Sequence, residues 1–415
     1  MVGEIMKFTK GRALAAVTLA GTFVALAIPS VGSAGGTVSA SSFNSNYTTM
    51  ANLKAIAAAG SGGIGVILPD EVSSNRYVDF DAPNLTTALT DAGLPASDLN
   101  VQNALGVDAN EISIAQGDIA AGDKVLIMDP LDSTTGVTIE KDAAKAGVQV
   151  IDYDRLTVGG SAPYYVSFNN VAVGQLIGRG ELACIKAYKI KKPLVYVMNG
   201  STTTDNNAVL FAQGYDGVLN KAGFKASVGG AGNAKTINET GTGTWTPSQA
   251  LTDFQGAYSQ NPKINAVVTP NDENAAPIIA FLQKKGLKPY TMPFTGQDAT
   301  LTGFQNIISG YQCGTVYKPI WKEAQAAAAI ALYLRAGKTP PSSLVNGSTK
   351  DPSTGRAVPS VLLQATWVTP KLVESTVIHD GVINPVALCT KVRPAVAGDK
   401  KIPTYAQDCK KYKIH

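Results

Sequence analysis

The sequence predicts an α/β fold in which parallel sheets carry helices on both faces. Three stretches support this, because each is an amphipathic segment that ends in Gly and is followed by a short apolar run. They are AAKAGVQVIDYDR, LNKAGFKASVGG and LQKKGLKPYTMPFTGQD. A Gly just past a helix caps it in the left-handed conformation, and the apolar run is then the next strand. Helices that alternate with buried strands build a parallel sheet that is covered on both sides.

Length and composition indicate a globular protein with two lobes. The chain has 415 residues, of which 45% are hydrophobic and 16% are charged. This length favours two lobes over one compact domain. The formal net charge is +4, and loss of Lys7, Lys10, Arg12 and Glu4 with an N-terminal leader leaves +2. A charge so near zero gives no electrostatic footprint for nucleic acid.

Residues 1–34 predict an export signal. The basic segment MKFTKGR precedes the apolar run ALAAVTLAGTFVALAIP, and SVGSA supplies small residues for cleavage after Ala34. A membrane anchor is the alternative, but the run is short for a spanning helix and no second run follows, which favours cleavage. The first cysteine is Cys184, so no lipid-bearing cysteine is expected at the cleavage site. We therefore expect a secreted, periplasmic or cell-surface protein.

The sequence predicts a flexible segment and then a series of buried strands. Residues 35–60 are rich in Gly, Ser, Ala and Asn and predict a flexible leader. The first buried strand is expected in GGIGVILPD (62–70), an apolar run that ends in Pro-Asp. Further strands are predicted in DKVLIMD (123–129), PLVYVMNG (193–200) and NAVVTPND (265–272), and each run ends in polar residues.

Polar clusters follow the predicted strands. One begins at Asp70, and the others are Asp154–Arg155, Asp205–Asn207, Asn271–Asp272 and Gln297–Asp298. Taken singly, each cluster is equally well a turn or a helix cap, since Asp and Asn favour both. Open α/β sheets bind ligands outside the carboxyl ends of their strands, so five clusters at that edge favour a binding site.

The sequence lacks the motifs of nucleotide-binding and nucleophilic enzymes. No GxGxxG follows the first strand, because GSGGIG precedes it, and no GxxxxGK[ST] occurs. The two histidines, His379 and His415, lie near the C terminus and away from the polar clusters, which weighs against Ser-His or Cys-His catalysis. The cysteines form no CxxC pair, so no zinc site is expected.

Export permits disulfide bonds between the four cysteines. Cys389 and Cys409 both lie in the predicted C-terminal tail, residues 386–415, and we expect a local bridge between them. Cys184 and Cys313 either pair or stay free, since four cysteines allow three connectivities.

Six stretches of the chain resemble the periplasmic sugar-binding proteins, and most closely the D-xylose-binding proteins of ABC transporters. They are VIDYDRL, YYVSFNNVAVGQLIG, STTTDNNAVLFAQGY, VVTPNDENAAPIIAFLQKKGL, TGQDA and GTVYKPIWKEA. The similarity runs from about residue 62 to about residue 370, with the order of the motifs preserved. It implies a periplasmic binding protein of type I: two similar Rossmann-like lobes with parallel sheets, joined by a three-segment hinge, that close on a sugar.

The resemblance also implies boundaries for the lobes. The N-terminal lobe would comprise residues 62–166 and 318–361, and the C-terminal lobe residues 167–317 and 362–385. The chain would cross between the lobes near Ser167–Asn169, Tyr317–Lys318 and Ser360–Leu362.

Carried over by position, the resemblance implies sugar ligands from both lobes. They are Arg76, Tyr77, Arg155, Asp205, Asn207, Trp245, Asn271, Asp298 and Lys318. These residue types suit the task, because sugar hydroxyls both donate and accept hydrogen bonds and a Trp offers a flat apolar face. Each also has a structural alternative: Asp205 and Asn271 as helix caps, Arg155 as an ion-pair partner of Asp154, and Trp245 as a core residue.

The implied function is capture of a monosaccharide, xylose or a similar aldose, for delivery to an ABC permease and its ATPase. The protein would be a monomer without enzymatic activity, metal or cofactor. Departures from the family pattern in SSNRYVDF, in residues 94–101 and at Pro270 leave the sugar open. Alternatives are a sugar-sensing protein that feeds a chemoreceptor or sensor kinase, a secreted glycosidase that uses Asp205 and Asp298, and a transcription regulator's sensor domain, against which the export signal speaks.

Overall fold

The computed structural model describes residues 38–390 and 404–415. The predicted signal peptide lies outside the described residues, as do residues 35–37 of the predicted leader and residues 391–403 of the predicted tail. No helix in the described ranges has the length and apolar character needed to cross a membrane.

The strands of the described chain form two parallel sheets and a short ribbon. They are β1 Ile64–Leu68, β2 Leu99–Asn103, β3 Val125–Met128, β4 Gln149–Tyr153, β5 Tyr164–Phe168, β6 Val195–Val197, β7 Thr236–Asn238, β8 Ala266–Val268, β9 Thr315–Tyr317, β10 Gly347–Lys350, β11 Ala357–Leu363 and β12 Thr366–Val368. The four strands predicted from apolar runs are confirmed as β1, β3, β6 and β8.

Helices connect the strands, as the alternating pattern predicts. They are α1 Lys54–Ala59, α2 Ala82–Asp91, α3 Asp108–Ala121, α4 Ser133–Ala146, α5 Asn170–Ala187, α6 Asn206–Lys221, α7 Pro247–Gln260, α8 Asp272–Lys284, α9 Leu301–Ile308, α10 Ile320–Arg335, α11 Pro385–Thr390 and α12 Tyr405–Tyr412. Gly147 follows α4 with φ of 71°, the left-handed cap that the sequence AAKAG predicts.

The first sheet has seven strands in the order β10-β11-β5-β4-β3-β1-β2. All its pairs are parallel except β10 with β11. Every residue of β1 and β3 is buried, because helices cover both faces. Val66 and Ile127 face the cluster that includes α2 and α10, whereas Ile67, Leu126 and Met128 face the cluster that includes α3 and α4.

The second sheet is smaller, with three parallel strands in the order β7-β6-β8. Single parallel bridges extend the same pattern from Val267 to Phe294 and from Gln297 to Val316 of β9, and β12 pairs antiparallel with β9. Helices α5 and α6 pack closely beside it: a side chain at Gly174 would meet the carbonyl of Phe211 at 2.0 Å, so only glycine fits there.

The chain crosses three times between the sheets, which define two lobes. The first lobe comprises residues 38–168 and 320–363, and the second comprises residues 170–317, 366–390 and 404–415. Two of the crossings lie at Asn169 and at Lys318–Pro319. The third lies at Gln364–Ala365 rather than at 360–362, because β11 stays paired with β5 as far as Leu363.

Part of the predicted flexible leader is folded, so that prediction is wrong for residues 48–59. A 3₁₀ helix at Thr48–Leu53 leads directly into α1. Met50, Leu53 and Ala57 are buried in the core of the first lobe. Their spacing of three and four residues makes one apolar face, which the small polar residues between them disguise.

The C-terminal segment packs onto the second lobe instead of trailing from it. Residues of α12 join a buried cluster with α9 and β12. A disulfide links Cys389 to Cys409, the pair for which the sequence predicts a local bridge. A second disulfide links Cys184 in α5 to Cys313, 129 residues further along, just before β9. Both bridges therefore lie in the second lobe.

Candidate ligand site

A cavity lies between the two lobes, and all nine binding residues predicted from the sequence line it. The lining residues are Ser73, Ser74, Arg76, Tyr77, Asp154, Arg155, Asp205, Asn207, Phe211, Trp245, Asn271, Gln297, Asp298 and Lys318. Most of them are buried, so the lobes are closed around the space.

The parallel strands place these side chains. Asp154 and Arg155 follow β4, Asp205 follows β6, Asn271 follows β8 and Lys318 follows β9. All lie beyond the carboxyl ends of strands, where two sheets facing each other turn their polar loops into one cleft.

Arg76 forms the wall of the cavity on the first lobe, and most of its donors are used within the protein. Its guanidinium donates to both oxygens of Asp81 at 2.7 and 2.8 Å, to Asp154 Oδ1 at 2.8 Å and to Glu323 Oε2 at 2.9 Å. Four of its five N–H groups are therefore occupied, which leaves one for a ligand. Arg76 thus fixes Asp154 as well as facing the cavity.

Charge pairing keeps Asp154 ionised in spite of its burial. Burial alone would raise the pKa of Asp154, but the positive charges of Arg76, Lys318 and Arg155 outweigh it and lower the pKa. A buried carboxylate that stays charged at the cavity wall is a strong acceptor for a ligand hydroxyl.

Tyr77 stands between the two arginines of the first lobe. The Arg76 and Arg155 guanidinium carbons lie 5.4 and 5.7 Å from the centre of its ring, within the range of cation–π attraction. Its hydroxyl accepts a hydrogen bond from Arg155 Nη2 at 3.0 Å. Tyr77 therefore spaces and orients the two cations.

Arg155 is held by the first lobe and reaches toward the second. Its Nη1 lies 3.3 Å from the carbonyl oxygens of both Pro130 and Leu131. Its Nε lies between two carboxylates, 3.6 Å from Asp129 Oδ1 in the first lobe and 3.5 Å from Asp205 Oδ2 in the second. Arg155 is thus the cation that faces both lobes.

Asp205 serves both as a helix cap and as part of the cavity wall. Its Oδ1 accepts a hydrogen bond from the backbone N–H of Asn207 at 2.8 Å, which caps α6. Its Oδ2 accepts from Trp245 Nε1 at 3.1 Å. Burial raises the pKa of Asp205, while Arg155 opposes that shift. The indole of Trp245 lies over Gly200, where a side chain would collide with the ring.

Asn207 connects the lobes beside the first crossing. Its Nδ2 donates to the Asp154 carbonyl at 2.8 Å, and its Oδ1 accepts from Tyr165 Oη at 3.0 Å and from Asn170 Nδ2 at 2.7 Å. One N–H of the amide remains for a ligand. Asn207 is therefore chiefly a link between the lobes.

Asn271 and Asp298 complete the lining on the side of the second lobe, and Lys318 joins them from the second crossing. Asn271 caps α8 by accepting from the N–H of Asn274 at 2.9 Å. Lys318 Nζ lies 2.9 Å from Asp298 Oδ1. Burial would lower the pKa of Lys318, but Asp298 outweighs it and the pKa is raised. Asp298 has φ of 82°, an uncommon left-handed backbone that turns its carboxylate toward the cavity.

Five lining residues are missing from the sequence-predicted set. Asp154 and Gln297 belong to predicted polar clusters and directly precede the predicted binding residues Arg155 and Asp298. Phe211 is four residues after Asn207 in α6, so helical spacing places it on the same face. Ser73 and Ser74 belong to the loop after β1, where the sequence marks a polar cluster from Asp70 but the resemblance implies only Arg76 and Tyr77.

Comparison with known sequences assigns the family. Residues 64–339 match the family described as the periplasmic binding protein domain. The chain belongs to the periplasmic binding protein family. A relative in this family, the D-xylose-binding periplasmic protein of Escherichia coli, is 33% identical over 283 residues, which cover 68% of this chain and 80% of that protein.

Further relatives extend the match within the periplasmic binding protein family. The multiple sugar-binding periplasmic receptor ChvE of Rhizobium radiobacter is 29% identical over 78% of this chain and 91% of its own length. The crystal structure of a carbohydrate transporter solute-binding protein from Chloroflexus aurantiacus, in complex with D-glucose, superimposes with a TM-score of 0.67 and 25% identity. That alignment covers 78% of this chain and 97% of the other.

Proposed function

We propose that this chain is an exported solute-binding protein that captures a monosaccharide, xylose or a similar aldose, between its lobes and delivers it to an ABC permease. The observation that carries the proposal is the cavity closed by both lobes, in which charged donors and acceptors are balanced. Three carboxylates (Asp154, Asp205 and Asp298) face three cations (Arg76, Arg155 and Lys318). Balanced charge suits a neutral ligand that has hydroxyls to donate and accept.

The aromatic side chains of the cavity also support a sugar ligand. Trp245 and Phe211 present aromatic surface beside the polar groups, which suits the C–H face of a sugar. Xylose is favoured first among the aldoses by the D-xylose-binding relative.

Binding without catalysis is the favoured reading of the carboxylates. A glycosidase needs one carboxylate free to give a proton and a second free to attack or to activate water. Here Asp205 is engaged by the Asn207 N–H and the Trp245 indole, and Asp298 is paired with Lys318. Carboxylates fixed in this way act as static acceptors.

Capture would proceed by closure of the lobes about the three crossings. Because most lining residues are buried, a sugar enters only when the lobes are apart. Its hydroxyls then bridge Arg155 from the first lobe to Asp205 from the second, which shifts the population toward the closed form. The closed form is the state that a permease would recognise.

A thermal-shift screen of the full chain against pentoses and hexoses tests ligand capture. A sugar that binds only the folded state raises the melting temperature by mass action, and we expect the largest rise with D-xylose or a related aldose. Asp205→Ala and Asp298→Ala should each abolish the rise, while Asp91→Ala, at an exposed aspartate of α2, should preserve it. No shift with any sugar, or full shifts in both site variants, would refute the proposal.

Delivery is tested separately by deleting the gene and measuring uptake of the same sugar. We expect loss of uptake at low sugar concentration and recovery when the gene is restored. Undiminished uptake, combined with loss of chemotaxis toward the sugar or of a transcriptional response to it, would instead assign the protein to sugar sensing.

A further inference from the structure

A contact between the lobes lies at the edge of the sugar cavity and involves no sequence-predicted ligand. Ser74, in the loop after β1, donates from Oγ to Glu273 Oε1 of α8 at 3.1 Å. The same Oγ accepts from the Arg76 N–H at 3.4 Å. Ser74 therefore joins the arginine wall of the first lobe to the second helix residue of α8.

Glu273 is half-buried and lines an open groove, and its carboxylate has no ion-pair partner among the described residues. Its Oε2 is shielded from solvent and has no hydrogen-bond partner among the described residues. A carboxylate with one shielded, unpartnered oxygen and a neutral donor on the other is costly to keep charged, and protonation is the ordinary way to avoid that cost.

The ionisable groups around Glu273 are acidic. Asp272 precedes it on α8 and Asp298 faces it from the loop that also lines the cavity. Asp79 of the first lobe lines the same groove outside the contact. Lys318, a cation that lines the cavity, is paired with Asp298.

We propose that Ser74 and Glu273 form a latch in which Glu273 takes up a proton when the lobes close, so that sugar binding is coupled to proton uptake. The inference rests on the proposed function, because the sugar supplies the energy that closes the lobes. With the lobes apart, Glu273 would stand in water at the N-terminal turn of α8, where a charged carboxylate is favoured. With the lobes closed, its protonated form also leaves no buried charge beside Asp298.

The direction of the pH effect follows from the two states. Burial raises the pKa of Glu273 well above its usual range in the closed form, and the charges of Asp298 and Asp272 raise it further. The closed form therefore binds more protons than the open form at neutral pH. Sugar affinity should fall as pH rises above about 4.5, by at most about tenfold per pH unit for one proton, until the closed-form pKa is passed.

Calorimetric titration of the full chain with D-xylose tests the coupling. At pH 7 the observed enthalpy is measured in buffers of different ionisation enthalpy, and its slope gives the protons taken up per sugar bound. We expect the wild-type protein to take up more protons than Glu273→Gln, which keeps the oxygen that Ser74 contacts but cannot ionise. The affinity of Glu273→Gln should also vary less between pH 6 and pH 8.

Two further variants make the result specific. Glu71→Gln changes an exposed glutamate of the same first-lobe loop and should leave proton uptake at the wild-type value. Ser74→Ala removes the neutral donor without changing charge, so it should weaken sugar binding at every pH while proton uptake persists. If the wild-type protein gives binding heat with the sugar but takes up no more protons than Glu273→Gln, the latch is wrong and the proposed function stands. Absence of heat with D-xylose and every aldose of the thermal screen would refute the proposed function, and the latch with it.

Discussion

The two lobes of this protein share a strand–helix pattern but are stabilised differently. The first lobe is built on a seven-stranded sheet and contains a buried cluster in which Arg76 meets Asp81, Asp154 and Glu323. The second lobe has a three-stranded sheet, and both disulfides of the described chain lie in it. The lobe with the smaller sheet has less packed surface to stabilise it. There the disulfides close long loops and so limit the conformational freedom of the unfolded chain.

The lobes also differ in the charge that they bring to the cleft. Arg76 and Arg155 come from the first lobe, whereas Asp205 and Asp298 come from the second. The first lobe also brings Asp154, so its lining charges sum to one positive charge, whereas those of the second lobe sum to two negative charges. Closure brings opposite charges together, so electrostatics favours the closed form once a neutral ligand fills the space. The following predictions test this division of roles.

The largest effect is expected from Arg76→Ala in the first lobe. The substitution leaves Asp81 and Glu323 buried without their cation, which typically costs about 3–5 kcal/mol. Urea unfolding of the ligand-free protein measures the change. Arg179→Ala, at an exposed arginine of α5, should alter stability by less than about 0.5 kcal/mol. Equal losses in the two variants would show that the charge cluster does not stabilise the first lobe.

The corresponding test in the second lobe removes a disulfide. Replacing both Cys184 and Cys313 by Ala opens a loop of 129 residues and should cost about 2–4 kcal/mol. Replacing Cys389 and Cys409 opens a loop of 20 residues and should cost about 1–2 kcal/mol less, by the loop-length dependence. Unfolding midpoints in non-reducing buffer give both values. The reverse order would mean that native packing, rather than loop closure, sets the cost.

How much the sequence predicts differs between fold and site. The fold class follows from local signals, because a Gly cap and an apolar run such as VQVIDY are each read within a few residues. The family motifs identified nine residues that line one cavity. The pairing of Cys184 with Cys313 and that of Arg76 with Glu323 join residues 129 and 247 positions apart, and no local pattern reports such partners.

Two segments differ from their sequence-based predictions because distant partners decide their structure. In residues 48–59 the apolar positions are few and lie among Ala, Asn and Thr, so composition suggested a flexible leader although α10 offers a surface for them to cover. The resemblance predicts the third crossing too early, because the pairing of β11 with β5 decides where the strand ends, and the residues of β11 alone do not show that pairing.

A similar buried glutamate in each lobe predicts how stability depends on pH. Glu111 Oε2 accepts from the Leu131 N–H just after β3, and Glu239 Oε2 accepts from the Asn199 N–H just after β6. Burial raises the pKa of each to about 8. The folded protein thus retains protons that the unfolded chain releases above about pH 4.5. The stability that these two glutamates contribute is fully present below that pH and is lost as pH rises through about 8.

Glu111→Gln and Glu239→Gln should each reduce the fall in the free energy of unfolding between pH 5 and pH 9. The slope should decrease by up to about 1.4 kcal/mol per pH unit at its steepest point. Urea unfolding at pH 5, 7 and 9 measures it, with Glu71→Gln as the exposed control. If only one variant flattens the profile, the lobes differ in how they bury this glutamate. If neither does, both carboxylates are charged in the folded protein.

The smallest effect concerns one hydrogen bond in the cleft. Trp245 Nε1 donates to Asp205 Oδ2 in the second lobe, while Arg155 approaches the same oxygen from the first. Trp245→Phe keeps an aromatic face but removes the donor, so Asp205 loses one of the contacts that fix it. We expect sugar affinity to fall about fivefold to tenfold, the effect of roughly 1 kcal/mol, with little change in stability.

Calorimetric titration with the sugar that gives the largest thermal shift measures this loss. Trp321→Phe is the matched control, because that indole also donates one hydrogen bond, to Tyr317 Oη at 3.1 Å, but does not line the cavity. An equal loss in both variants would assign the effect to general packing. A loss confined to Trp245→Phe would show that the second lobe orients its carboxylate for the ligand, whereas the first lobe orients its arginines through buried charge.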